Sequence, residues 1–235
     1  MTGALDDFWS ASSLTVEDVA AFAARVGRYR PADEHPHPFI GPGAPQPLKP
    51  VGDRWQRMIA ARRSDRAFAA APLAHRAVER LLASVGPTPD GRRAIPEAGG
   101  LDAVHVYLVA HQVEGPLAGS VHRYDHRHHV VASVGPCPDE AELRRVFTID
   151  DDADTAAAIV VFVLDDRELR RKYGDRGGRF GWQQVGHAAQ NVCLRLAIDG
   201  LRGYVLGGGL DGEILDLVGL GHTRARYGGA VACGV

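Results

Sequence analysis

The chain predicts an α+β fold on three observations. Its most apolar run, residues 156–164, is short and rich in β-branched side chains, the mark of a buried central strand. Its longest helical pattern, about residues 180–200, puts Val185, Ala188, Ala189, Val192 and Leu196 on one face of an α-helix. Strands and helices intermix without the strict alternation that builds a doubly wound parallel sheet.

Composition narrows the class. The 235 residues are 45% hydrophobic and 24% charged, which fits an ordered domain with a large core and not a disordered chain. A formal net charge of −2 leaves no electrostatic footprint for nucleic acid. The three cysteines, Cys137, Cys193 and Cys233, are odd in number and far apart, which fits a reducing compartment and excludes a cysteine-built structural zinc site. The beginning of the chain is acidic, at Asp6 and Asp7, with no basic segment before an apolar stretch. No apolar run approaches the length of a membrane span. A cytoplasmic protein is expected.

Taken in order, Thr15 followed by Val-Glu-Asp opens a capped helix reaching about Gly27. Residues 31–50 are a proline-rich extended connector. Residues 1–50 are therefore expected as an N-terminal helix and connector, and 51–235 as one domain. Helices are expected over 53–61, 75–85, 139–146 and 212–217. A buried strand is expected over 104–110, and a hairpin pairs 121–124 with 129–132 around Asp125-His126-Arg127. The chain closes on an apolar strand over 227–235.

Several stretches could carry chemistry. Along the long helix Gln183, His187 and Asn191 recur every four residues, so they either line a polar ligand site or bond neighbouring backbone. Lys172-Tyr173 sets an amine beside a phenol, a pair able to move protons if burial or nearby cations disfavour the ammonium; otherwise it is a surface pair. Arg170, Arg171, Arg176 and Arg179 crowd the segment. RRSDRAF presents Arg62, Arg63 and Arg66 around Ser64, a donor set for phosphate or a solvated basic turn. PEAGGL (residues 96–101) and Gly207–Gly209 are turns whose glycines let backbone approach a flat ligand, or plain loops. The histidines His122, His126, His128 and His129 sit on an exposed hairpin whose turn breaks any shared face, so no metal site is expected.

The order of these pieces is more specific than any one of them. RRSDRAF, Pro-x-Ala-Gly-Gly-Leu, a strand with V-Y-L-V, a hairpin with H-R-Y-D, KYGDR…RF and GHAAQN together resemble the nitroreductase-like superfamily, from about Trp55 onward. The chain is most similar to the SagB-type dehydrogenases, flavin partners of azole-forming peptide synthetases. The resemblance implies a mixed, mainly antiparallel central sheet flanked by helices, and a homodimer with FMN near its interface. It implies that Arg62, Arg63, Ser64 and Arg66 hold the phosphate and ribityl chain. Pro96, Ala98, Gly99 and Gly100 would approach the isoalloxazine, with Gly207 and Gly208 nearby, and Lys172 and Tyr173 would remove a proton. Glu97 stands where the family usually has serine, Gln184 where it usually has glutamate, and the terminal arginine of many relatives is not matched. The implied activity is oxidation of a thiazoline or oxazoline in a modified peptide to an azole, beside a cyclodehydratase or other biosynthetic partner. The alternatives are a reductase of an activated double bond or nitro group using NAD(P)H, and a flavin-free docking subunit.

Overall fold

The computed structural model describes residues 3–29, 48–150 and 153–235. Its centre is a six-stranded sheet in the order β3-β2-β1-β4-β6-β5, with every neighbouring pair antiparallel. The strands are β1 (Val104–Ala110), β2 (Ser120–Asp125), β3 (Val130–Pro136), β4 (Ala158–Leu164), β5 (Arg202–Leu206) and β6 (Arg226–Gly234). The expected α+β class holds. β4 is central because all seven of its side chains are buried, a demand only an inner strand covered on both faces can meet.

Eight α-helices surround the sheet in the described residues: α1 (Ala4–Ser12), α2 (Val19–Arg28), α3 (Arg54–Ala61), α4 (His75–Ala83), α5 (Glu140–Val146), α6 (Arg167–Tyr173), α7 (Arg176–Ile198) and α8 (Asp211–Leu217). Sequence chemistry explains several starts. The Asp53 and Asp139 carboxylates accept the Gln56 and Glu142 amides at 2.8 and 2.9 Å, capping α3 and α5. One core lies beneath α4 and α7 and holds Val78, Leu81, Phe162 and Val192; a second, holding Phe147, Val161, Ile214 and Ala232, lies on the opposite face of the sheet. No helix among the described residues is long and apolar enough to cross a membrane.

Three expectations need correction. The helix expected from Thr15 begins at Val19, and a separate helix, α1, precedes it. α7 starts at Arg176, a full turn before Phe180. Three of its glycines are packing sites: a Cβ at Gly177 would lie 2.5 Å from the Leu169 backbone, one at Gly181 would lie 2.7 Å from Leu164, and one at Gly178 would meet Leu5. Along α7, Trp182 and Ile198 are 38% and 52% exposed, and Gln183 and His187 face outward. The hairpin is buried in part, with His122 only 5% exposed. Most of the proline-rich connector lies outside the described residues.

Candidate functional site

The site is built at the corner where α6 turns into α7. Asp166 starts α6, and Gly174, at φ +60°, ends it, so that Lys172 and Tyr173 fall in its last turn. Both side chains bear on Gly99 of the PEAGG turn. Gly99 is left-handed at φ +63°, and a Cβ there would collide with the Tyr173 hydroxyl and lie 2.6 Å from Lys172 Nζ. Glycine is required twice over, by conformation and by space. Tyr173 is fixed edge-on to Phe180 with centroids 5.0 Å apart, and Lys172 Nζ lies 5.3 Å from the Tyr173 ring centre.

The setting of the pair differs from expectation. Lys172 is exposed in this protomer, not buried. The neighbouring arginines are engaged elsewhere: Arg170 with Asp6 at 2.8 Å, Arg171 with Glu168 at 2.5 Å, and Arg176 over the Phe180 ring at 5.9 Å.

Beside the PEAGG turn opens a cleft of about 870 Å³, walled by Pro96, Glu97, Gly100, Asp102, His126 and Arg127. Its floor holds an ion cluster that sequence reading missed. The Arg93 side chain, 2% exposed, donates to Glu97 at 3.3 Å, Asp102 at 2.7 Å and the Val104 carbonyl at 2.8 Å. Glu97 is therefore the counter-ion of a buried guanidinium. Arg93 and Glu97 are four residues apart, a spacing that could have flagged them. His126 Nε2 lies 3.4 Å from Asp102, and burial, reinforced by the Arg93 charge, lowers its pKa and favours the neutral ring. Glu97, Asp102 and His126 come close enough to share a cation, and both carboxylates are also paired with the single Arg93 guanidinium. The other three hairpin histidines take separate partners, the Leu117 carbonyl, Asp125 and the Tyr124 hydroxyl, and do not converge.

The polar stripe of α7 is resolved residue by residue. Asn191 donates to the Ser84 and Ala94 carbonyls, both at 3.0 Å, and so ties α7 to the loop leading into the PEAGG turn. The buried amide is Gln184, 1% exposed, which donates to the Leu101 carbonyl at 3.4 Å. Its Oε1 has no partner among the described residues.

The RRSDRAF segment leaves α3 and runs beside the start of β5, the sheet's edge strand. The Asp65 amide bonds the Gly203 carbonyl at 3.0 Å, and Arg66 lies 5.0 Å from the Tyr204 ring centre. Arg63, Ser64 and Arg66 are exposed and Arg62 is half-buried. Gly207 and Gly208 stand at the far end of β5, roughly 13 Å along the strand. Gly207 is open, whereas Gly208 is closely backed by the Thr148 hydroxyl. This cluster does not meet the first one. Tyr173 packs on Phe180 in the first turns of α7, whereas the RRSDRAF segment bonds Gly203 in β5, which follows the far end of that helix.

A family model described as the Nitroreductase family matches residues 59–235, three quarters of the chain and every element from α4 through β6. The chain belongs to the Nitroreductase family. A Methanocaldococcus jannaschii protein that carries a nitroreductase name is 30% identical over 163 residues, covering 67% of this chain and 80% of its own. Among solved structures, the chain is similar to one in an Escherichia coli microcin synthetase McbBCD complex with truncated pro-MccB17 bound, with TM-score 0.68, 19% identity, and 96% and 95% of the two chains covered. A Vibrio harveyi NADPH:FMN oxidoreductase complexed with NAD+ has TM-score 0.51, 19% identity, and coverage of 76% and 67%. These two likenesses establish the nitroreductase fold. Within it, the residues present fit a flavin mononucleotide in two parts. Arg62, Arg63, Ser64 and Arg66 form a donor set suited to its phosphate, and the left-handed Gly99–Gly100 turn gives backbone a close approach to a flat ring.

Proposed function

We propose that this nitroreductase-family oxidoreductase is an FMN-dependent dehydrogenase that converts a thiazoline or oxazoline ring in a modified peptide to the azole. The observation that carries the proposal is the convergence of Lys172 Nζ and Tyr173 Oη on Gly99, which joins a proton-handling pair to the turn suited to a flat ligand. The fold's likeness to a chain of a synthetase complex holding a propeptide supports a peptide substrate and biosynthetic partners.

Bound FMN supplies the acceptor for the two electrons that leave the ring as hydride. Lys172, as the free amine, takes the proton from the ring carbon, and the Tyr173 hydroxyl orients the pair and shares that proton. Arg62, Arg63, Ser64 and Arg66 would hold the phosphate, with Gly207 and Gly208 further along β5. Pro96, Ala98, Gly99 and Gly100 would present backbone to the isoalloxazine. Because the two clusters stand apart in one protomer and α7 leaves Trp182 and Ile198 open, the site is completed by a second copy.

A reductase reading is favoured by the names of the Methanocaldococcus and Vibrio relatives and uses the same flavin half-sites. A flavin-free docking subunit loses one of its arguments, since Glu97 is accounted for by Arg93. The absorbance spectrum and mass of the purified protein test the proposal. Flavin bands near about 370 and 450 nm on a dimer are expected. A flavin-free monomer contradicts the enzyme readings, and nitro reduction without azole formation selects the reductase.

A further inference from the structure

Residues 3–14 lie well before the family domain, which begins at residue 59, yet they are pinned to the helix that carries Lys172 and Tyr173. The Asp6 carboxylate of α1 accepts from Arg170 at 2.8 and 3.1 Å and from Arg226 at 3.3 Å. Trp9, 3% exposed, stacks on Trp182 of α7 with centroids 5.0 Å apart, and the Arg226 guanidinium lies 5.7 Å from its ring. Leu5 occupies the space that a side chain at Gly178 would need. The segment is tied again at its far end, where the Leu14 amide donates to the Asp211 carboxylate at 3.0 Å.

These contacts bear on α6 from the side opposite its main seat, which is α7. A helix of 7 residues is too short to be stable alone. Its buried anchor is Leu169, fully inside, with the backbone pressed against Gly177. The Asp6–Arg170 pair is a further restraint on another side of the helix. Arg170 and Lys172 are two positions apart and point to different faces, so Asp6 grips α6 without blocking the amine. Asp166, at the head of α6, is 4% exposed, and burial raises its pKa although Arg170 and Arg226 oppose the rise.

We propose that residues 3–14 form a latch in which Asp6 and Trp9 are positioning residues, holding α6 so that Lys172 and Tyr173 bear on Gly99. The proposal rests on the reading of those two residues as the proton-handling pair.

The chain's two lysines make the test direct, because Lys49 serves as an internal control for Lys172. Amine acylation of the full-length protein, read by peptide mass, is expected to show Lys172 reactivity changed by about twofold or more in Asp6→Asn, as local restraint is lost. Turnover of a synthetic thiazoline-bearing peptide is expected to fall about 10–100-fold in kcat, the effect of roughly 1 Å of misplacement, with KM and FMN content at parent values. Asp6→Glu should recover part of the loss, and Asp7→Asn, an exposed carboxylate on the same helix, should change neither measurement. Parent values of Lys172 acylation and kcat in Asp6→Asn overturn the proposal. So do altered acylation with unchanged kcat, and a joint loss of Tm, kcat, KM and FMN with acylation unaltered, which would mark a purely structural role. If Lys172→Ala turns over at the parent rate, the site reading fails on its own, and the acylation of Asp6→Asn still decides whether the latch holds α6.

Discussion

Gly99→Ala separates the geometry of the proton-handling pair from the stability of the fold. The substitution adds one methyl group at φ +63°, where an L-residue is strained by about 1–2 kcal/mol. The new Cβ would lie 2.6 Å from Lys172 Nζ and closer still to the Tyr173 hydroxyl, against an ordinary contact of about 3.5–4.0 Å. Each partner must therefore retreat by about 1 Å. Lys172 Nζ ends a flexible side chain and retreats at little cost, whereas the Tyr173 hydroxyl moves only with its ring, which can tilt on Phe180 without moving the backbone. For a chain of this size the strain alone lowers Tm by roughly 2–8 °C. The displacement of two reacting groups, by contrast, is expected to lower kcat on a thiazoline peptide about 100-fold. Thermal unfolding and steady-state turnover, measured on the same preparation, read the two effects separately. A variant with parent kcat refutes the placement of the pair on Gly99. A variant that fails to fold refutes the claim that only side-chain ends oppose the methyl group.

Arg66→Ala removes a charge-assisted phosphate donor worth about 1.5–3 kcal/mol, so FMN affinity should fall roughly 10–100-fold by fluorescence titration; unchanged affinity removes the phosphate assignment. Arg93→Met leaves Glu97 and Asp102 without their buried cation and is expected to cost about 3–5 kcal/mol, seen as a lower denaturant midpoint; an unchanged midpoint means the cluster is solvated. The hydrogen bond from Arg170, with the Arg170 and Arg226 charges, lowers the Asp6 pKa from 3.8 to about 2. A depressed carboxylate contributes stability that is complete above its unfolded value and is lost as pH falls through the folded one. Docking of α1 should thus hold from about pH 8 to about pH 5 and loosen below about pH 4, read by the fluorescence of the Trp9–Trp182 stack; loosening near neutral pH contradicts the Asp6–Arg170 restraint.

Much of the fold was legible because its signals are local. The β-branched run of β4, the aspartate caps of α3 and α5, and the periodic face of α7 each state their own structure. What was missed depends on partners distant in sequence. The glycines at 177, 178 and 181 look like helix breakers until Leu169, Leu5 and Leu164 are seen pressed against them. Gln183 and His187 share a stripe with Asn191, but the elements packed on α7 bury Gln184 instead. Leu5, Phe8 and Trp9 of α1 carry an apolar pattern on too few residues to stand out. In the site, the association of Lys172-Tyr173 with the PEAGG turn came only through family resemblance, since no spacing joins residues 99 and 172. Arg93 escaped notice because an arginine beside a turn is ordinarily solvated, and only the fold reveals that this one is enclosed.

The central claim is that this chain oxidises an azoline with Lys172 taking the proton. Its most direct test is anaerobic mixing of the FMN-loaded protein with a thiazoline-bearing peptide, following the flavin band near about 450 nm and the mass of the peptide. The account predicts bleaching of the band together with a product two hydrogens lighter. In Lys172→Ala, with flavin content unchanged, the same event should be slower by about 10²–10⁴-fold. A band that persists in the parent protein, or a Lys172→Ala variant that bleaches at the parent rate, contradicts it.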